Sequence, residues 1–207
     1  MSMQSLLMST AYFGPISLYA ALCNHDNAII DGHEFFVKQS YRNRCEILGA
    51  NGLQNLSIPL QERKNKSLTK DIKIDYKTSW QQQHWRSIES AYNSSPFFEF
   101  LMDDLIALHQ RNYEFLLDFN CALQDAVLNI IGKKIQVSSS AAYVAESANC
   151  IDVRNSYSPK IKSNFVYPPY VQVFEHKMEF VPNLSILDLL FNVGNESEIY
   201  LSKIQNL

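Results

Sequence analysis

The sequence has no apolar run that approaches the roughly 20 residues a membrane-crossing helix needs. Its best candidate, 115–131, is interrupted by Asp118, Asn120, Gln124, Asp125 and Asn129. The opening Met1-Ser2-Met3-Gln4-Ser5-Leu6-Leu7-Met8 lacks a basic segment, and its apolar stretch stops at Ser9 and Thr10, so it does not read as a secretion signal. Cysteine is sparse: Cys23, Cys45, Cys121 and Cys150 are widely spaced and form no CxxC pair. They read as reduced thiols of a cytoplasmic protein. Neither they nor the 5 histidines show ligand spacing, so no metal site is expected. An excess of one charge is missing too. With 18 basic residues against 21 acidic ones and a net charge of −3, bulk electrostatics gives no reason to expect a nucleic-acid partner. There is no P-loop, GxGxxG, GxSxG or HExxH motif, and the sequence leaves any cofactor unknown. P-loop phosphoryl transfer, Rossmann hydride transfer and zinc proteolysis therefore lose their usual sequence support. Internal repeats and low-complexity segments are absent.

What is present is a globular composition, 46% hydrophobic and 19% charged over 207 residues, which suits one domain. Residues 5–12 read as an apolar strand. Gly14-Pro15 then opens a helix whose Ile16, Tyr19, Ala20 and Cys23 make a buried stripe. A second short strand at 28–32 completes a βαβ unit of parallel strands. Residues 45–48 and 53–60 flank Gly49-Ala50-Asn51-Gly52, a hairpin signal, and Lys64, Lys66 and Lys70 fall in a polar loop beyond it. A further extended segment is expected at 71–76. Ser79 with Gln82 predicts a capped helix from Trp80. Two more helices follow, one after Ser95-Pro96 and one from about 112 to 131 that stops at Gly132. Strands are expected at 135–139 and 170–174, helices at 141–150 and 197–205, and a Ser185-capped helix ending at Gly194. The expected architecture is α/β: an N-terminal βαβ unit with a mixed sheet, a β-hairpin and a layer of three or more packed helices. The α/β part covers about 1–76 and 133–194, and the helical layer about 79–131.

Candidate site residues fall in three places. Beyond the carboxyl ends of parallel strands, where ligands tend to bind, lie Tyr12, Phe13, Asp31 and His33. Asp31 there could hold a sugar hydroxyl or a metal, or serve as a turn or capping carboxylate. Tyr41-Arg42-Asn43-Arg44 could present forked donors to a phosphate or carboxylate, or its arginines could pair with acidic residues and solvent. Finally, Trp80, His84, Trp85 and Arg86 share a helix start: the aromatic planes suit a sugar or base and His84 suits proton transfer. In the alternative, the tryptophans anchor the helix and His84 bonds a backbone carbonyl. No Ser-His-Asp or Cys-His set follows from chain order, since such sets are defined by geometry.

Several segments together resemble the WbqC-like family: Lys38-Gln39-Ser40-Tyr41-Arg42-Asn43-Arg44-Cys45, Leu56-Ser57-Ile58-Pro59-Leu60, Trp80 with His84-Trp85-Arg86-Ser87-Ile88, and Tyr92-Asn93-Ser94-Ser95-Pro96-Phe97-Phe98. The resemblance continues through Tyr170-Val171-Gln172-Val173-Phe174 and 180–194, and so draws in Gln172, Asn183, Ser185 and Asp188. It covers nearly the whole chain. The family takes its name from bacterial O-antigen clusters, which implies group transfer in surface-polysaccharide, amino-sugar or nucleotide-sugar modification. Its common His-Gln-Pro-x-Tyr-Phe-Pro-like opening is replaced here by Met8-Ser9-Thr10-Ala11-Tyr12-Phe13-Gly14, so an early histidine is missing.

On this reading the partner is a small molecule, anionic or sugar-containing. Arg42, Asn43 and Arg44 would clamp its anionic part, while Tyr12, Phe13, Trp80, Trp85 and Gln172 would contact it. His84 would act as base, with Asp31 as orienting carboxylate. The alternative is a non-catalytic binding or scaffolding module in which these residues form a polar core network. Exposure separates the two: an enzyme should gather Tyr12, Asp31, Arg42, Arg44 and His84 around one open cleft.

Overall fold

The computed structural model describes residues 4–63, 65–145, 150–161 and 165–206. The chain is α/β. Strand β1 (Ser5–Met8), helix α1 (Ile16–Cys23) and strand β2 (Asn27–Ile30) form the βαβ unit, with β1 and β2 paired in parallel. Pro15 precedes α1 with φ −68° and ψ 156°, the extended conformation that proline accepts at a helix entry. The stripe Ile16, Tyr19, Ala20 and Cys23 is buried, and so are Ser17, Leu18 and Leu22, because α5 and α6 cover the rest of the helix.

Strands β3 (Arg44–Gly49) and β4 (Gly52–Ser57) form the hairpin, and Gly52 takes φ +108° at the turn. Residues Leu60 and Lys73–Ile74 make only isolated bridges rather than a strand, as Ile74 donates its N–H to Glu114 and Leu116 donates to Ile72. The helical layer is α2 (Trp80–Tyr92), α3 (Phe98–His109) and α4 (Leu116–Ile131). Their apolar stripes meet: Ile88, Leu105, Phe119, Leu123 and Val127 are buried. Ser79 does not cap α2 with its side chain, because its ψ of 46° departs from the extended backbone an N-cap needs. Gly132 ends α4 at φ +81°, where a residue without Cβ is favoured.

Strand β5 (Gln136–Ser139) follows, then β6 (Cys150–Asp152) and β7 (Phe165–Val166). The helix expected at 141–150 is not found over 141–145, and 146–149 lie outside the described residues. The principal sheet has the order β5-β2-β1-β6 and is parallel throughout, so the parallel and antiparallel pairings expected of one mixed sheet are divided between this sheet and the hairpin. The segment 170–174 is not a strand. The Gln172 side chain bonds both backbone groups of Val181, donating to its carbonyl and accepting from its N–H, and the chain turns where a strand partner would lie.

Helix α5 (Ile186–Val193) is capped by Ser185, whose hydroxyl accepts from the Leu187 N–H. Helix α6 (Ser197–Ser202) follows, and β8 (Gln205–Asn206) pairs with β7. No helix among the described residues is long and apolar enough to cross a membrane.

Gly194 ends α5 at φ +60°, and a Cβ there would sit 2.4 Å from the Phe97 ring. Gly194→Ala is therefore expected to cost about 2–4 kcal/mol through combined strain and overpacking. Gly52→Ala, also at positive φ but in open space, should cost only about 1 kcal/mol. Urea unfolding of both variants checks this; equal losses would contradict the contact with Phe97.

Candidate functional site

Parallel pairing decides which residues meet at one edge of the sheet. Met8 is level with Ile30, Ile30 with Ser139, and Leu7 with Asp152. Ser9, Asp31 and Ser140 therefore emerge together at the carboxyl edge, with Arg154 two residues beyond Asp152 at the same level. That is the edge where open α/β sheets hold ligands.

Arg154 bridges this edge. Its Nη1 donates to Asp31 Oδ2 at 2.6 Å and to the Val144 carbonyl at 2.8 Å. Its Nε and Nη2 donate to Asp152 at 3.0 and 2.5 Å. These hydrogen bonds hold the Asp152 carboxyl below its usual range and push the Arg154 guanidinium up. A second fork lies beside the first. Arg42 Nε and Nη2 donate to Glu34 at 2.8 and 2.7 Å, and Nη2 also reaches Ser9 Oγ at 2.7 Å. Ser9 Oγ donates in turn to the Arg154 carbonyl at 2.9 Å.

Asp31 is fully buried, and its Oδ1 also accepts from the Ser140 hydroxyl at 2.9 Å and the His33 N–H at 3.0 Å. His33 Nδ1 lies 3.3 Å from Ser140 Oγ. Since an ionised carboxylate only accepts, the single hydroxyl proton of Ser140 goes to Asp31, and Ser140 accepts from His33. The neutral imidazole is thereby held as the Nδ1–H tautomer, with Nε2 left as the acceptor.

His33 opens onto a cavity of about 690 Å³ whose other polar lining residues are Glu34, Asp152, Arg154 and Asn155. Phe35, Val37, Leu68 and Tyr143 supply an apolar wall. Tyr143 lies under the Arg154 guanidinium, 5.1 Å from ring centre to Cζ. Among the described residues no group of three or more His, Cys, Asp or Glu side chains is placed to hold a metal ion.

The residues singled out from sequence do not share one cleft, so the gathering of Tyr12, Asp31, Arg42, Arg44 and His84 expected of an enzyme built on them is not found, and any site must rest on other side chains. Asp31 and Arg42 lie behind the cavity, where Arg42 is neutralised by Glu34 rather than offered to an anion. Asn43 donates to the Ile58 carbonyl at 3.0 Å and so ties down the hairpin. Arg44 begins β3, and its Nε is buried without a partner among the described residues. Gln172 is buried and donates at 2.8 Å to Asp188, whose carboxyl burial pushes up. Tyr170 donates to the same carboxylate.

Tyr12, Phe13, Trp80, His84 and Trp85 are all buried, and together with His109 and Phe119 they form an aromatic box. The Tyr12 hydroxyl lies 3.0 Å from His84 Nδ1 and 2.8 Å from His109 Nε2. Two neutral rings satisfy it, one accepting the phenol proton and the other donating N–H to the phenol oxygen. Desolvation lowers the His84 pKa to about 4 and that of His109 to about 3.

The family model described as the WbqC-like protein family matches residues 10–156 and 157–200. The chain belongs to the WbqC-like protein family. It is also 27% identical over 203 residues to an uncharacterized protein of Mycobacterium tuberculosis (strain ATCC 25618 / H37Rv), Rv1507c, covering 85% of this chain and 87% of the relative. No solved structure matches. The first matched segment of this WbqC-like protein holds every cavity residue named above.

Of the cavity residues and the groups behind them, the strand-end rule picks out His33 in the lining and Asp31 behind it, and misses Glu34, Tyr143, Asp152 and Arg154 in the lining and Ser140 behind it. Applied to β5 it would have found Ser140. It could not find Asp152 and Arg154, because β6 lay at the end of a segment read as helix. His109 was missed because it closes α3 beyond the leucine stripe that defined the helix.

The buried histidines give this WbqC-like protein an acid-labile core. Their folded pKa values lie below the ordinary value of about 6.5, so below that pH the unfolded chain takes up protons that the native state refuses. Stability is thus full above about pH 6.5 and falls as the pH drops toward 4, by up to about 1.4 kcal/mol per pH unit per histidine. Urea unfolding at pH 7.0 and 5.5 should show this loss in the wild type and a much smaller one in the His84→Gln/His109→Gln variant. Equal losses in the two proteins would contradict it.

Proposed function

We propose that the cavity at the carboxyl edge of the parallel sheet is the active site of an enzyme. It would transfer a group onto a sugar or sugar-containing small molecule, in surface-polysaccharide or amino-sugar modification. The observation that carries this reading is His33, which lines the cavity and is tethered through Ser140 to the fully buried Asp31. A histidine with one nitrogen fixed by a carboxylate-backed partner is built to take a proton at the other. His33 Nε2 would accept the proton that the attacking hydroxyl or amine sheds as that atom bonds the transferred group, while the bond between that group and its donor breaks and the donor's leaving group departs with the electron pair; Asp31 would act as a positioning residue through Ser140.

His84 is not the base in this scheme, because its ring is spent on Tyr12 and resists protonation above about pH 4. The cavity is within the size range of small-molecule sites. Phe35 and Tyr143, 56% and 60% exposed, offer ring faces on which a sugar could stack. The scaffold reading is favoured by a different observation: both arginines at this edge are already paired with carboxylates.

A thermal-shift panel of sugars, amino sugars and nucleotide sugars separates the two. At a hundred times its dissociation constant a true ligand adds about 2.7 kcal/mol of folded-state stability. Phe35→Ala, an exposed position, should leave the melting temperature of the free protein unchanged and weaken that ligand about tenfold or more. His33→Gln should retain binding but slow turnover by about a hundredfold or more. A ligand indifferent to Phe35→Ala, or turnover indifferent to His33→Gln, would overturn the proposal.

A further inference from the structure

We infer that the cavity selects a cationic amine on a sugar-sized ring, not a phosphate or another anion; this rests on the reading of the cavity as a ligand site. Both the charge balance and the exposure at this edge favour a cation. Three carboxylates, Asp31, Glu34 and Asp152, meet two guanidiniums, Arg42 and Arg154, at this edge, leaving one negative charge uncompensated.

The one charged group of these five that is appreciably exposed is negative, since Asp31, Glu34, Arg42 and Arg154 are all buried. The Asp152 side chain is 30% exposed against 5% for Arg154. Glu34 is 8% exposed against 4% for Arg42. Arg154 is further screened from a ligand because its Nε, Nη1 and Nη2 all donate to Asp152, Asp31 or the Val144 carbonyl and Tyr143 lies against its face. A phosphate entering the cavity would meet the Asp152 carboxylate with no free guanidinium to offset it, a like-charge contact that costs affinity. An ammonium would complete the balance, donating to Asp152 while the ring lies on Phe35 or Tyr143.

This reverses the expectation that Arg42 and Arg44 clamp an anion. Arg42 is committed to Glu34, and Arg44 is not among the cavity-lining residues.

Two-dimensional amide NMR titrations with glucosamine, N-acetylglucosamine, glucose and uridine diphosphate test the inference. Glucosamine should perturb the amides of residues 33–37 and 152–155 and bind about tenfold or more tightly than its N-acetyl form. That preference should vanish in Asp152→Asn. Because Asp152→Asn also removes a partner of Arg154, a second measurement uses the wild type alone: raising NaCl from 50 to 500 mM should weaken glucosamine and leave any binding of glucose unchanged. Equal or tighter binding of N-acetylglucosamine or uridine diphosphate at these residues would overturn the amine selection and leave the cavity as a ligand site. Glucosamine perturbing only amides elsewhere would overturn the cavity reading as well. No binding by any of the four would overturn the selection for an amine, while the wider ligand panel still decides the cavity reading.

Discussion

The carboxyl edge of the sheet is organised around the buried ion pair between Arg154 and Asp31. Breaking such a pair by removing one partner leaves an uncompensated charge, at a cost of about 3–5 kcal/mol. Arg154 holds β6 at its end through Asp152 and holds the chain after β5 through the Val144 carbonyl. Asp31 holds His33 directly and through Ser140. One interaction therefore closes the sheet edge and sets the histidine that faces the cavity. Asp31, buried and four times an acceptor, acts on its surroundings only through the groups it orients.

Much of the polar equipment that looks functional is structural. The Tyr12, His84 and His109 triad fills an aromatic core with neutral groups that satisfy one another. Gln172 and Asp188 perform the same service for the loop that packs on α5, with Gln172 imitating a strand partner for Val181. The polar atoms are shielded and most are matched, the condition under which buried polar groups can be kept at little cost, with His109 Nδ1 left without a partner among the described residues. The WbqC-like signatures in these segments therefore mark packing as much as chemistry.

What the sequence disclosed was local. The stripe of α1, the hairpin around Asn51-Gly52, the three helices between Trp80 and Ile131 and the stop at Gly132 all rest on spacings of a few residues, and all are present. The site is not local. Arg154 meets Asp31 across 123 residues and Ser140 meets it across 109. Strand β6 has only three residues, too few to show an alternating pattern, and gains its identity from pairing with β1. The rule that ligands sit beyond parallel strand ends did point at Asp31 and His33. The partner that defines their surroundings, Arg154, carried no motif. The sequence also could not show that Arg42 would be spent on Glu34, since nothing in the spacing of the two dictates a bidentate contact.

The most direct test of this account is the protonation pattern of His33, read from the 15N chemical shifts of its imidazole ring by NMR. Tethering through Ser140 to Asp31 predicts the Nδ1–H tautomer of the neutral ring, with Nε2 as the acceptor, and loss of that preference in Ser140→Ala. An Nε2–H ring in the wild type, or a tautomer unchanged by Ser140→Ala, would contradict the coupling of His33 to the buried ion pair.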